Sequence, residues 1–325
     1  MNDPTPSSPP TALRMLGGLL LWLAVPLAAG IWLAARFLPQ PAVGLVYLET
    51  DIWYGSAEFF KLQLAEIALD DSIKAVVVVI DSPGGEVAPT QDMYYELLSL
   101  RQQMPVVGSI NGVAASGGYY LALATDPIFA KPNSTIGNVG VWGFAPPELT
   151  ITEVILASGP FKLTATNTEE FTREIEGMKQ EFLNTVLAAR GEDRLTISLA
   201  DLSQGLAYPG RTALEYGLID NIGSRADAIA RAAELAGIAN YRTIDLQDIV
   251  IDKLLEEYGE SIRPGYDPGP LLAADPGETA GVHAGPVPIP WYLLPWSAAP
   301  DPLTGQRQLP PGIYLLYDMR LGGLR

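Results

Sequence analysis

A short glycine-containing segment, residues 81–87 (DSPGGEV), has the residue types needed to hold a developing negative charge. It directly follows a run of β-branched residues, and helical spacing of apolar residues begins after it. Gly84 and Gly85 permit a tight turn and leave backbone N–H groups uncovered by side chains. Because a helix follows, these amides lie at its positive end, where an oxyanion is stabilised. The segment therefore predicts an oxyanion-binding turn, with an ordinary Pro-Gly turn as the alternative.

A second segment, residues 111–120 (NGVAASGGYY), offers a nucleophile. Ser116 lies between small residues, so its hydroxyl can approach the backbone of a substrate. The amide of Gly117 follows the serine and supplies a second candidate oxyanion donor. The alternative interpretation is that Ser116 caps the N-terminus of a tightly packed helix.

A serine nucleophile requires a base, and few side chains in this chain can serve. Cysteine is absent, and the single histidine, His283, lies in a proline-rich tail. Lysine is the remaining common base, provided that desolvation lowers its pKa. Of the six lysines, Lys131 and Lys162 do not fall on predicted helices or at the amino-terminal edge of the sheet. Lys162 is the preferred candidate because its neighbours on both sides are apolar.

Composition and charge exclude several other classes of function. The net charge of −17 argues against a phosphate-binding surface, and hence against nucleic acid as a partner. With no cysteine and one histidine, disulfides, thiol catalysis and multi-histidine metal sites are excluded. We expect neither a metal nor an organic cofactor.

Strands and helices alternate around these segments. Such alternation predicts an α/β fold with helices packed on a parallel sheet. In the first half, the predicted strands are 43–48, 75–80, 105–110 and 127–130, and the predicted helices are 56–69, 87–102 and 115–124. The second half adds a helix at 169–189 capped by Thr168, a turn, short helix and strand within 207–223, a helix at 224–236 capped by Ser224, a strand at 241–246 and a helix at 248–258.

The amino-terminal region predicts a membrane anchor. Residues 15–35 contain no charge and are bounded by Arg14 and Arg36. As a helix they would span about 31 Å, close to the thickness of the hydrocarbon core. A cleaved signal peptide is the alternative, but the apolar run exceeds the usual length and no basic residue precedes Arg14. We expect a disordered segment at 1–14 and a retained transmembrane helix at 15–36.

The carboxy-terminal region differs in composition from the rest of the chain. Residues 264–311 contain 12 of the 28 prolines, so this stretch cannot form a regular core. It also contains Trp291 and Trp296, and residues 313–319 are apolar enough to form a strand. We therefore expect the tail, residues 261–325, to dock on the body or on a neighbouring subunit. Occupation of the molecule's own substrate cleft is one form that such docking can take.

Several segments together resemble the signal peptide peptidase A family of serine proteases, relatives of the Clp protease within the crotonase-like superfamily. The similarity extends over about residues 43–240 and follows the order of the family's motifs. The segments are 82–85 (SPGG), 115–120 (ASGGYY), 134–141 (STIGNVGV), 158–162 (SGPFK), 208–213 (YPGRTA) and 217–220 (GLID).

The resemblance implies a crotonase-like or Clp-protease-like βαβ spiral over residues 42–260, with Ser116 as nucleophile and Lys162 as general base. It implies oxyanion donors among Gly84, Gly85 and Gly117. Its further implications are peptide or membrane-protein substrates such as cleaved signal peptides, a homo-oligomeric ring, and a single-pass membrane protein with its peptidase domain on the extracytoplasmic side. It also leaves open whether serine and lysine come from one subunit or two.

Two other functions remain compatible with the residues. One is a membrane scaffold of the same fold without catalytic activity. The other is a crotonase-type acyl-thioester enzyme, which would use the same oxyanion turn on a different substrate.

Overall fold

The computed structural model describes residues 11–37, 40–145, 158–159, 161–258 and 313–316. The chain divides into two compact units, Met1–Pro41 and Ala42–Arg325. The first ten residues, His283 and most of the proline-rich tail lie outside the described residues.

The first unit contains one helix, α1 (Thr11–Phe37), within the part of the chain described there. Pro26 lies inside this helix, and apolar side chains such as Leu21, Leu23 and Trp32 are exposed. Residues 11–14, expected to be disordered, form its first turn. Taking only the described residues, we find no helix whose length and hydropathy together suffice for a membrane crossing.

The second unit alternates strands and helices. Its strands are β1 (Ala42–Leu48), β2 (Ile73–Ser82), β3 (Gly84–Glu86), β4 (Val106–Ala115), β5 (Ile128–Ala130), β6 (Thr135–Gly137), β7 (Trp142–Gly143), β8 (Ala207–Pro209), β9 (Asn221–Ile222), β10 (Arg242–Asp245) and β11 (Ile313–Leu316). Its helices are α2 (Tyr54–Leu69), α3 (Val87–Arg101), α4 (Gly117–Ala122), α5 (Thr168–Arg190), α6 (Leu199–Leu202), α7 (Gly210–Glu215), α8 (Arg225–Leu235) and α9 (Leu246–Tyr258).

The main sheet has the strand order β10-β1-β2-β4-β5-β9, and every pair along this path is parallel. Strand β2 lies near its centre and is apolar on both faces, as expected for a parallel sheet covered by helices. Its residues 76, 78 and 80 face a core shared with α2, α3 and α5, whereas residues 75, 77 and 79 face the alanines of α8. The predicted α/β class with a parallel sheet is thus confirmed.

Strand β4 connects the main sheet to a smaller layer. Its first half pairs with β5, and its second half, residues 113–115, pairs with β6. Strand β6 in turn pairs antiparallel with β8. The register of β2 against β4 shifts between Ile80 and Ser82, where β4 leaves the main sheet. This change of layer directs the end of β4, and the segment after it, toward β3.

Several boundaries differ from the sequence prediction. Strand β4 continues five residues beyond the predicted end at 110, because residues 111–115 find a new partner in β6. Helix α4 is correspondingly shorter than the predicted helix at 115–124. The N-cap of α5 is Asn167 and not Thr168, because the Asn167 side chain accepts the N–H of Glu170. Ser224 caps α8 as predicted.

A buried ion pair joins α5 to the end of the turn after α7. The Arg190 guanidinium donates to both carboxylate oxygens of Asp220, at 2.7 and 2.9 Å. It also donates to the carbonyl of Gly217, and Asp220 accepts the backbone N–H of Ile128. Burial alone would raise the pKa of the Asp220 carboxyl, but the hydrogen bonds and charge of Arg190 outweigh it and lower that pKa. This network joins α5, β5 and the residues before β9.

Candidate active site

Ser116 lies at the point where β4 ends and α4 begins. Its backbone has φ 52° and ψ −119°, a conformation that costs a non-glycine residue free energy. The conformation is held by a 2.8 Å hydrogen bond from the Ser116 N–H to the carbonyl of Gly137. The Ser116 side chain makes no capping hydrogen bond to α4, although the residue occupies the N-cap position. Ser116 thus takes the N-cap position that the alternative interpretation gave it, but its hydroxyl does not cap the helix.

The turn before β3 is shaped by its glycines. Gly84 has φ +100°, in the region that favours glycine. A Cβ atom on Gly85 would lie 1.8 Å from the carbonyl oxygen of Ile52, so only glycine fits there. Ile52 donates to the Gly84 carbonyl and accepts from the Glu86 N–H, both at 2.8 Å.

These bonds determine which amide is free to act as an oxyanion donor. Backbone groups of successive residues in a strand point to opposite edges. Since Gly84 and Glu86 face Ile52, the N–H of Gly85 points to the other edge of β3. The Gly84 N–H donates to Ser82 Oγ at 3.2 Å. Gly85 is thus a better donor candidate than Gly84.

The structure brings the serine segment and the glycine turn together. A Cβ atom on Gly117 would lie 3.3 Å from both Gly84 Cα and Gly85 N. On Gly118 it would lie 2.5 Å from the carbonyl oxygen of Ser82. Gly117 is the first residue of α4, where an N–H has no acceptor within the helix. The two candidate donors, Gly85 and Gly117, therefore lie side by side next to Ser116.

Asp81 is a positioning residue that the sequence reasoning did not single out. Its carboxylate accepts the backbone N–H of Val113 at 2.9 Å, which links the end of β2 to β4. Gly112 leaves the space for this carboxylate, since a Cβ there would lie 2.8 Å from Asp81 Oδ1. Asp81 thereby ties the glycine turn that follows it to the strand that leads to Ser116.

Gly137 and Asn138 support the serine from the opposite side. Gly137 accepts the Ser116 N–H and has φ +103°. Asn138 also has a positive φ, and its side chain donates to the carbonyl of Gly205 at 2.7 Å. Both residues lie in the segment 134–141 that resembles the family, but the sequence did not reveal these contacts.

The gap between β3 and β7 holds an extended segment of the chain itself, and we call this gap the peptide channel. Strand β11 lies between them and pairs antiparallel with both. Trp142 and Phe144 pack edge to face at the β7 side, with ring centroids 5.3 Å apart. Glu86, on the β3 side, has a carboxyl whose pKa is raised by burial. An extended backbone therefore fits beside the Gly85 amide, along the edge of β3 that faces away from Ile52.

The two candidate lysines occupy different surroundings. Lys162 lies in a turn after Gly159, and its side chain is exposed, as are those of Phe161 and Leu163. Among the described residues, Phe161 and Leu163 are exposed and do not cover the Lys162 side chain. Lys131 donates to Asn111 Oδ1 at 2.5 Å.

Comparison with known proteins gives a family match over part of the chain. Residues 99–147 and 153–239 match the profile of Peptidase family S49. Ser116 lies in the first matched block and Lys162 in the second. Within the residues that the structure describes, no three His, Cys, Asp or Glu side chains cluster closely enough to hold a metal ion.

Three relatives with similar sequences are Protease 4 of Salmonella typhi, a putative signal peptide peptidase SppA of Enterococcus faecium and the chloroplastic serine protease SPPA of Arabidopsis thaliana. Their identities to this chain are 30% over 235 residues, 29% over 183 and 29% over 191. The alignments cover 65%, 52% and 54% of this chain, and 38%, 53% and 28% of the respective relatives. The resemblance to the signal peptide peptidase A family is confirmed over about half the chain.

Proposed function

We propose that this chain is a serine endopeptidase with Ser116 as its nucleophile. The observation that carries the proposal is the placement of Ser116 and Gly117 against the Gly84–Gly85 turn, at the edge of a channel that accepts an extended backbone. Acyl transfer needs a nucleophile and two amide donors around one carbonyl carbon, and this site offers both. The serine protease and signal peptide peptidase names of the relatives agree with it.

The mechanism follows from these positions. Ser116 Oγ loses its proton to a base and attacks the carbonyl carbon of the scissile peptide bond. The N–H groups of Gly85 and Gly117 stabilise the oxyanion that develops. The base then protonates the leaving amine, and water hydrolyses the acyl-enzyme ester on Ser116, regenerating the hydroxyl.

Lys162 is the proposed base, forming a Ser-Lys dyad. It lies in the second block of the family match and ends the segment SGPFK. Among the described residues, its side chain is exposed. This exposure favours a dyad completed in a homo-oligomeric ring, where Lys162 of one subunit is covered by the next and set against that neighbour's serine.

Membrane attachment through α1 is part of the proposal. Residues 15–35 contain no charge, and the apolar side chains described on this helix are exposed. A peptidase anchored in this way, with its catalytic unit on the extracytoplasmic side, would meet cleaved signal peptides and other membrane-protein segments. These are the proposed substrates.

A catalytically inactive scaffold is the alternative with an observation in its favour, namely the exposed Lys162. A hydrolysis assay distinguishes an active peptidase from an inactive scaffold. It uses the full-length chain in detergent micelles and an apolar peptide of signal-peptide composition as substrate. We expect turnover by the wild type and a loss of at least about a thousand-fold in Ser116→Ala. Ser99→Ala, an exposed serine on α3, is the matched control and should retain full activity. Equal rates for Ser116→Ala and wild type would eliminate the proposed nucleophile.

A further inference from the structure

The carboxy-terminal strand β11 occupies the peptide channel of its own chain. Its residues pair with the glycine turn on one side, Tyr314 with Glu86, Leu315 with Gly85 and Leu316 with Gly84. On the other side, Ile313 pairs with Gly143 and Tyr314 with Trp142. The tail segment is therefore the central strand of a three-stranded antiparallel sheet.

The register places the tail backbone where a substrate backbone would lie. One edge of β3 is already bonded to Ile52, so the Gly85 N–H faces β11 and not the body of the protein. Leu315 is the residue directly opposite Gly85. A substrate peptide that presents its carbonyl to the Gly85 amide must pair with the edge of β3 that β11 occupies. The two cannot pair with that edge at the same time.

The sequence of the segment suits this position and limits its length. Residues 313–317 (IYLLY) are apolar or aromatic and have high β propensity. Two prolines precede them, at 310 and 311, and proline has no N–H to donate to a ladder. The segment can therefore pair with β3 and β7 as a short strand, but the prolines prevent the strand from extending toward its amino-terminal side.

We propose that residues 313–316 are an intramolecular competitor that closes the peptide channel, so that substrates gain access only when the tail leaves. A tethered segment acts at an effective concentration of the order of millimolar, well above that of a dilute peptide substrate. The competition, though not the docking itself, rests on the proposed peptidase function.

Hydrogen exchange tests the docking without any need for activity. The full-length chain is compared with Leu315→Pro, which removes the N–H opposite Gly85, and with a variant lacking residues 313–325. Leu303→Pro, the same change outside the paired segment, is the control. We expect the Gly85 and Trp142 amides, whose partners on β11 are Leu315 and Tyr314, to exchange at least about tenfold faster in both variants and unchanged in the control. Equal exchange in all four proteins would overturn the proposal.

Kinetics on the same four proteins test the competition. Removing an intramolecular competitor should raise kcat/KM at least about fivefold, through a lower KM with kcat unchanged. A synthetic peptide of residues 312–319 should then inhibit the truncated variant competitively. Faster exchange without any change in KM would overturn autoinhibition. Faster exchange with no hydrolysis by any of the proteins would instead refute the peptidase function and leave the docking intact.

Discussion

At the scale of single residues, the site depends on a serine held in a conformation that serine rarely adopts. A non-glycine residue at positive φ costs on the order of 1–3 kcal/mol, and it persists only where its surroundings require it. Here the requirement comes from the bond to Gly137 and from the close approach of Gly117 and Gly118 to the glycine turn. Ser116 is also buried, with 1% of its surface exposed. Its hydroxyl does not cap the helix that follows.

The two lysine candidates lead to opposite expectations at this scale. Lys162→Met should reduce peptide hydrolysis by at least about a hundred-fold, because it removes the proposed general base. Lys131→Met should stay near the wild-type rate, because it loses only a surface hydrogen bond to Asn111. Since a lysine must be neutral to accept a proton, the wild-type rate should rise with pH into the alkaline range. A rate that does not change from pH 5 upward would instead indicate a carboxylate base.

At the scale of elements, two strands of the parallel sheet position the proposed nucleophile and oxyanion donors. Strand β2 ends in the glycine turn, and β4 leaves the main sheet to end at Ser116. Asp81 joins the two by accepting the Val113 N–H. Helix α5 packs against α4, where Phe182 meets Tyr120, and is fixed at its carboxy-terminal end by the Arg190–Asp220 pair.

The Arg190–Asp220 ion pair should contribute strongly to the stability of the fold. Asp220→Asn leaves the Arg190 charge, which is 2% exposed, without its partner, and should lower the free energy of unfolding by about 3–5 kcal/mol. Urea denaturation at pH 7 measures this. Glu170→Gln, which weakens an exposed pair with Arg173, is the control and should change stability by less than about 1 kcal/mol.

The same pair predicts a pH dependence of stability. Because the pKa of Asp220 is lowered in the folded state, its contribution is complete above its unfolded pKa of about 3.9 and is lost as the pH falls through the lower folded value. The difference between wild type and Asp220→Asn should therefore shrink below about pH 4. A difference that grows on acidification would contradict this assignment.

Periodicity predicted most of these elements, and what it missed depends on contacts distant in sequence. The buried run of β2 and the caps of α8 are local signals, and both were interpreted correctly. The extension of β4 arises from pairing with β6, which no local pattern reveals. Likewise, Asp81 and Asn138 gain their roles from partners 32 and 67 residues away in the chain.

The Ser116–Gly85 juxtaposition could be predicted because both segments follow strands of one parallel sheet, whose carboxyl ends meet at one edge. The surroundings of Lys162 could not be predicted in this way. Apolar neighbours in sequence do not ensure burial, and Phe161 and Leu163 are exposed in the single chain.

At the scale of the whole molecule, an apolar helix precedes a strongly acidic chain with a net charge of −17. If α1 is the anchor, Leu23→Arg with Leu27→Arg should release the full-length protein from lipid vesicles, because each arginine costs about 2.5–3.5 kcal/mol at the centre of a membrane helix. Leu69→Arg with Leu235→Arg, two exposed leucines of the second unit, is the matched control. Vesicle flotation measures the outcome, and co-flotation of both double variants would argue against anchoring by α1.

The central claim is that Ser116 is an activated nucleophile, and a fluorophosphonate probe tests it most directly. The full-length protein and the variant lacking residues 313–325 are both treated, so that an occupied channel does not hide a reactive serine. Mass spectrometry of the digest should locate one phosphonyl adduct, on Ser116, formed faster in the shortened variant and lost in Lys162→Met. A folded protein that remains unlabelled at Ser116 in both forms, or that is labelled equally in Lys162→Met, would contradict the account.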